Sequence, residues 1–315
     1  MIRPGRIDVH QHFLPPGYAR WLESGGIAQV GGRAIPDWDA DKAIGLMDQF
    51  SISTGILSLS APGVYLGDGT DARTMATQVN EAAAECVWDR PDRFGFFATV
   101  PLPDVDGALE AAAHAFDSLN ADGVCLLANY QGIYLGEPVF DPLMAELDRR
   151  HAVVLVHPAE LPGPAVPSIP PFATDFLLDT SRAAFNLVRH EVPRRYPNIT
   201  FILAHAGGFV PYASHRVAVG VTAETGRDPF EVLEDLQGFY FDTALSSSPA
   251  ALPTLLAFAK PGHVLFGTDW PFAPDIAVAY FTGQLDSYDD LDSDARVAIN
   301  HGNVQALFPR LIDQE

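Results

Sequence analysis

Positive charge is scarce in this chain of 315 residues, where 19 lysines and arginines face 40 aspartates and glutamates for a net charge of −21. Nucleic acids and other polyanions require a basic face, so that class of partner is not expected. Cysteine is scarcer still. The two present, Cys86 in a helical pattern and Cys125 in an apolar run, read as buried apolar residues in a reducing compartment rather than as a disulfide framework. No window approaches the roughly 20 apolar residues of a membrane span, and the N-terminal residues lack the apolar stretch of a signal peptide. A soluble, cytoplasmic protein without a membrane partner is the expectation. A glycine-rich phosphate loop is missing too, because Phe13-Leu14-Pro15-Pro16 follows the first apolar run.

What the chain does contain is alternation. Short apolar runs at Ile7–His12, Gly55–Ser60, Phe94–Val100, Gly123–Leu127, Val153–His157, Thr200–His205, Phe239–Thr243 and Val264–Thr268 read as strands. Helical spacing separates them over Ala40–Phe50, Ala72–Asp89, Val105–Leu119, Asp141–Arg150, Asp175–Arg189, Phe209–Thr222 and Pro249–Phe258. Asp39 or Asp41 can cap the first helix and Asp104 the third. Eight strands alternating with helices imply parallel pairing, and closure predicts a (β/α)8 TIM barrel of the α/β class. Residues 1–315 are expected to form one such domain, with loop insertions at about 13–39 and 158–174. These insertions, and a shorter one at Ala61–Thr70, follow strands, the side on which barrel enzymes keep their sites.

The strand ends carry the chemistry. His10 and His12 are two residues apart on one strand and therefore share a face. His157, His205 and Asp269 each close another apolar run, and the barrel would gather all five at one mouth. His157 alone reads equally well as a hydrogen-bonded core residue, whereas His10 and His12, on one strand face, repel when protonated and gain from a shared cation. Together they supply the donor types of a catalytic ion with an open position. Aromatic residues also fall on the loop side, among them Phe13, Trp38, Tyr65, Tyr130, Phe209, Trp270 and Phe272. Phe13, Tyr130, Trp270 and Phe272 are the ones expected to face a substrate ring; core packing is the plainer reading of any one of them.

Four motifs extend this pattern: Asp8-Val9-His10-Gln11-His12-Phe13-Leu14-Pro15, Val156-His157-Pro158, Leu203-Ala204-His205-Ala206-Gly207-Gly208 and Phe266-Gly267-Thr268-Asp269-Trp270-Pro271-Phe272. With a closing Gly302-Asn303-Val304-Gln305-Ala306-Leu307-Phe308, the chain resembles the amidohydrolase superfamily, in particular its decarboxylase-type branch. That branch holds the aminocarboxymuconate-semialdehyde, γ-resorcylate and 6-methylsalicylate decarboxylases. The resemblance implies that His10, His12, His157 and Asp269 hold one divalent ion, zinc first and manganese second. It also implies that Asp269 and His205 are catalytic, with His205 beside the ion rather than an obligate ligand. No lysine occurs in Gly123–Leu127, where binuclear relatives carry a carboxylated one, so a single ion is expected.

One departure concerns substrate. The semialdehyde decarboxylase has an arginine before strand two that binds a carboxylate, whereas Ala43-Ile44-Gly45-Leu46-Met47-Asp48 offers none. Lys42 and Arg216 are the nearest cations in sequence, and surface roles account for both. The resulting expectation is a metal-dependent decarboxylase of a hydroxybenzoate-type or enol carboxylic acid, acting as a homo-oligomer, a dimer first. The same donors would equally serve hydrolysis of an amide, ester or lactone. A non-catalytic module with a structural ion fits less well, because such sites are closed and often cysteine-rich.

Overall fold

The computed structural model describes residues 5–311. Its main sheet has eight strands in sequential parallel order: β1 (Arg6–His12), β2 (Ile52–Ser58), β3 (Phe94–Thr99), β4 (Gly123–Leu127), β5 (Val153–His157), β6 (Thr200–Leu203), β7 (Tyr240–Asp242) and β8 (Val264–Leu265). The ends meet. Val9 N–H donates to Phe266 O at 3.0 Å, Asp269 N–H to His10 O at 2.8 Å and His12 N–H to Trp270 O at 2.7 Å. These bonds lay β1 against the segment that leaves β8 and close the (β/α)8 barrel expected from the alternation.

The strands form where β-branched and aromatic residues run without interruption. All five residues of β5, Val153-Val154-Leu155-Val156-His157, are buried, as a parallel strand covered on both faces requires. Eight helices follow their strands: α1 (Ala40–Gln49), α2 (Gly69–Asp89), α3 (Val105–Ser118), α4 (Asp141–Arg149), α5 (Pro171–Arg189), α6 (Val210–Thr225), α7 (Ala251–Phe258) and α8 (Asp275–Asp286). Asp39 caps α1 by accepting from Lys42 N–H, and Asp104 caps α3 by accepting from Gly107 N–H.

Inside the barrel, Ile7, Val9, Ile56, Phe97, Val153 and Leu155 form a floor closed from below by Val304, Phe308 and Leu311. A register shift in β1 between Asp8 and Gln11 separates that floor from the mouth above it. Such an irregularity re-aims side chains, and here His10 lies within it and His12 just beyond it. The insertion at 13–39 is itself folded, with a helix over Pro16–Ser24 and a small antiparallel hairpin of Gln29–Val30 and Arg33–Ala34. From Pro158 to Pro170 the fifth loop is irregular; α5 then starts at Pro171, four residues earlier than the sequence pattern suggests, because proline suits a first helical turn. Among the described residues, no helix is long and apolar enough to cross a membrane.

Candidate metal centre at the barrel mouth

His10 and His12 rise from the end of β1, His157 from the end of β5, and Asp269 from the turn after β8. One donor atom from each of these four buried residues lies within 4.8 Å of the other three. His12 Nε2 is 3.0 Å from His10 Nε2 and 3.1 Å from Asp269 Oδ1, while His10 Nε2 is 3.4 Å from the same oxygen. Donors about 2.1 Å from a tetrahedral ion stand roughly 3.4 Å apart, so these spacings suit a shared cation.

The opposite ring nitrogens explain the convergence. His10 Nδ1–H donates to Asp242 Oδ2 at 2.7 Å, His12 Nδ1–H to Ser58 O at 3.2 Å, and His157 Nδ1–H to Pro158 O at 2.8 Å. With Nδ1 protonated, each Nε2 presents its lone pair to the same point, as outer partners do for metal-bound imidazoles. The residues present fit one divalent ion.

His205 stands beside this group. Its ring centroid is 4.9 Å from that of His10 and 6.0 Å from that of His157. It groups with His10 and Asp242 instead. The chain reaches this position through a left-handed run: His205 at φ 54°, Ala206 at 57°, Gly207 at 72° and Gly208 at 62°. Non-glycine residues pay roughly 1–2 kcal/mol each for that conformation, and Asp242 Oδ1 helps hold it by accepting from His205 N–H at 2.9 Å. Asp269 is also left-handed, at φ 66°. Strain of this kind gathers at sites whose geometry is fixed by their surroundings.

Electrostatics follow from burial and pairing. Burial opposes charge on His10, yet the Asp242 and Asp269 carboxylates overcome it and push the imidazole up to about 10. Burial depresses His12 and His205, and His157 far more, where neighbouring imidazoles add to the effect. For Asp269, burial acts upward, but hydrogen bonds from His10 and His12 hold it well below the usual carboxylate range. Burial lifts Asp8 to about 6, against hydrogen bonds from Thr268 and His10 N–H. Without an ion, then, a proton on His10 supplies the positive charge between the carboxylates.

Two structural carboxylates have roles that the sequence pattern does not assign. Asp242 interrupts the apolar run of β7, and Asp8 sits within β1. Each is fully buried, a position a charged group takes only when partnered. Asp8 binds Thr268 through Oγ1 at 2.5 Å and N–H at 3.1 Å, which ties β1 to the turn bearing Asp269.

A cavity of about 700 Å³ opens onto His157, His205 and Asp269. Its walls are mostly apolar and include Phe172, Phe176, Phe209 and Phe272. Of the four aromatics expected at a substrate ring, only Phe272 lies here, with its ring edge-on to His12 at 5.6 Å. The other three do not line this cavity. Phe13 follows His12 by one residue, so it faces away into the core against Trp38. Trp270 likewise turns away from Asp269, and its Nε1–H donates to Asp275. Tyr130 lines a neighbouring cavity of about 520 Å³, with its hydroxyl accepting from Leu127 N–H. Lys42 is an exposed partner of Asp39, and Arg216 is exposed on α6. The cation that does line the large cavity is Arg33, from the inserted hairpin.

Fold and donor set together define a (β/α)8 barrel enzyme built around a divalent ion. The chain belongs to the amidohydrolase family, whose sequence model matches residues 7–310. It is 38% identical over 315 residues to a 6-methylsalicylic acid decarboxylase of Penicillium expansum, an alignment covering 97% of each chain. A solved structure of an amidohydrolase II superposes with a TM-score of 0.90 at 30% identity, covering 96% of this chain and 99% of that one. A dihydroxybenzoic acid decarboxylase from a Polaromonas species shares the fold, with a TM-score of 0.79, 22% identity and 97% of each chain covered; its structure contains manganese and the inhibitor 2-nitroresorcinol.

Proposed function

We propose that this protein is a metal-dependent carboxy-lyase that removes carbon dioxide, without oxidation, from a hydroxybenzoate-type or related enol carboxylic acid. One observation carries the reading: Asp269 belongs to the four-donor group and also faces an aromatic-lined cavity. His10, His12, His157 and Asp269 are the residues assigned to the ion, with zinc the first choice and manganese the second. When bound, that ion supplies a Lewis acid against which the carboxylate and ortho hydroxyl of such an acid can be fixed.

The side chains divide the remaining work. Phe272 and its aromatic neighbours exclude water and sandwich the ring. Asp269 delivers a proton to the ring carbon that bears the carboxyl group. That carbon becomes tetrahedral, the bond to the carboxylate breaks, and its electron pair restores the aromatic ring as carbon dioxide leaves. Because hydrogen bonds from His10 and His12 hold the Asp269 carboxyl well below the usual carboxylate range, it first takes the proton of the substrate's ortho hydroxyl and then passes it to the ring carbon; the phenolate left when carbon dioxide departs is reprotonated from solvent. His205, fixed by Asp242 and by Ala244 O at 3.2 Å from its Nδ1, turns Nε2 towards the reacting group.

We extend the proposal to a cytoplasmic homodimer, in which Tyr212 and Val219, exposed two turns apart on α6, supply apolar contact area. The reaction is tested by incubating metal-loaded protein with salicylate-type acids in deuterated water. Decarboxylation through Asp269 places one deuterium at the carbon that lost carbon dioxide. If lactones or amides are cleaved while every such acid is left intact, hydrolysis replaces this reading.

A further inference from the structure

The hairpin that carries Arg33 is built with care for its position. Val30 pairs with Arg33 across a two-residue turn of Gly31 and Gly32, at φ 59° and 80°. Both conformations favour glycine. Space demands it as well, because a Cβ on Gly31 would stand 2.8 Å from the Phe176 ring and one on Gly32 would stand 3.1 Å from Pro171. The tip is also bonded in place: Phe172 N–H donates to Gly31 O at 3.1 Å, and Gly31 N–H donates to Glu160 Oε1 at 3.2 Å. So the turn is wedged against the start of α5, and its flanking residues, Val30 and Arg33, become cavity wall.

Arg33 itself is partly buried, with its guanidinium 5.1 Å above the Phe172 ring. Among the described residues its guanidinium forms no ion pair and no hydrogen bond, in a chain with 40 acidic side chains. It is also the sole lysine or arginine among the described residues lining that cavity, and Asp269 is the sole carboxylate. A partly buried cation without a carboxylate leaves its planar donors available to something that enters from solution.

We propose that Arg33 is the specificity-determining residue for the negative charge of the substrate: it captures an anionic aromatic acid at the cavity wall and orients it towards the donor group. The inference rests on the reading of the ligand as such an acid. Its physical need is plain. A protein of net charge −21 repels an anion, and a local cation in an apolar-walled cavity offsets that repulsion where it matters. The Phe172 ring, 5.1 Å beneath the guanidinium, supports the cation at the cavity wall and adds apolar surface beside it. This cation comes from the inserted hairpin, not from the helix before β2. Arg33 acts on binding and positioning; the reacting carbon is left to Asp269.

The test compares metal-loaded wild type with Arg33→Met, which keeps the packing, and Arg33→Lys, which keeps the charge. Calorimetry measures salicylate against the uncharged salicylamide, and kinetics measure KM, kcat and the salt dependence of kcat/KM. Removing one charge from a partly desolvated site is expected to weaken salicylate binding and raise KM by roughly tenfold, with kcat within about twofold. Salicylamide affinity should stay level, Arg33→Lys should recover part of the loss, and the salt dependence should flatten in Arg33→Met. Equal affinity for salicylate in wild type and Arg33→Met overturns the assignment. So does an equal loss for acid and amide, which marks a collapsed wall. If the wild type decarboxylates no aromatic acid yet its preference for acid over amide depends on Arg33, the reaction fails and the recognition residue stands.

Discussion

Asp242 offers the sharpest single perturbation. One oxygen accepts from His10 Nδ1 at 2.7 Å, and the other accepts from the backbone N–H of His205 at 2.9 Å and of Ala244 at 3.0 Å. In Asp242→Asn the amide oxygen can keep both backbone donors, but the NH2 group then meets His10 Nδ1–H, donor against donor. His10 must drop that bond or move its proton to Nε2, where the ion needs a lone pair. Outer partners of metal-bound imidazoles are worth about 10–100-fold in affinity, or roughly 1.4–2.7 kcal/mol. Zinc affinity measured by chelator competition should fall within that range, while circular dichroism and the unfolding midpoint change little. Asp242→Ala is a harsher case. It orphans two buried N–H groups at about 1–3 kcal/mol each, and its midpoint should drop by several degrees. Affinity for zinc in Asp242→Asn within about twofold of wild type would refute the orienting role.

Other expected outcomes concern the same centre. Asp269→Asn should lose nearly all turnover even where elemental analysis still finds some metal, and full activity in that variant would remove Asp269 as proton carrier. His205→Ala should reduce turnover more than metal content; an emptied site would make it a primary ligand. Because His10 is raised to about 10 in the free site, an incoming ion must displace its proton throughout the range from 6.5 to 10. Metal affinity should therefore climb by up to about tenfold per pH unit across that window, and a plateau above pH 7 would contradict the assignment. The sign for folding is the reverse: the apoprotein keeps this contribution below pH 6.5 and loses it as pH rises towards 10. Gly208→Ala should lower the midpoint markedly, because a Cβ there would lie 2.1 Å from Leu177 O at φ 62°; an unchanged midpoint would mean α5 can yield.

The barrel and its donors were legible because each histidine or aspartate ends an apolar run, and a parallel barrel turns strand ends into neighbours. Side-chain direction was not legible in the same way. Trp270 adjoins Asp269 in sequence but points to Asp275, and Phe13 adjoins His12 but joins the core. Arg33 escaped because its place depends on a two-residue turn docking against α5, a contact between segments more than 130 residues apart. α8 escaped for a different reason: it is apolar on several sides, leaving Ile276 and Tyr280 exposed, so no single buried stripe announces it.

The register shift in β1 gives this barrel a slip joint. An ordinary strand passes any one-residue displacement to every side chain beyond it. Here Ile7 lies before the irregularity, Val9 and His10 fall within it, and His12 lies past it. Drift in the floor can thus be taken up in the backbone around His10, while both imidazoles stay tethered by their own bonds, His10 to Asp242 and His12 to Ser58. Repacking Ile7 and its neighbours at the bottom of the barrel is therefore compatible with unchanged donor positions at its top.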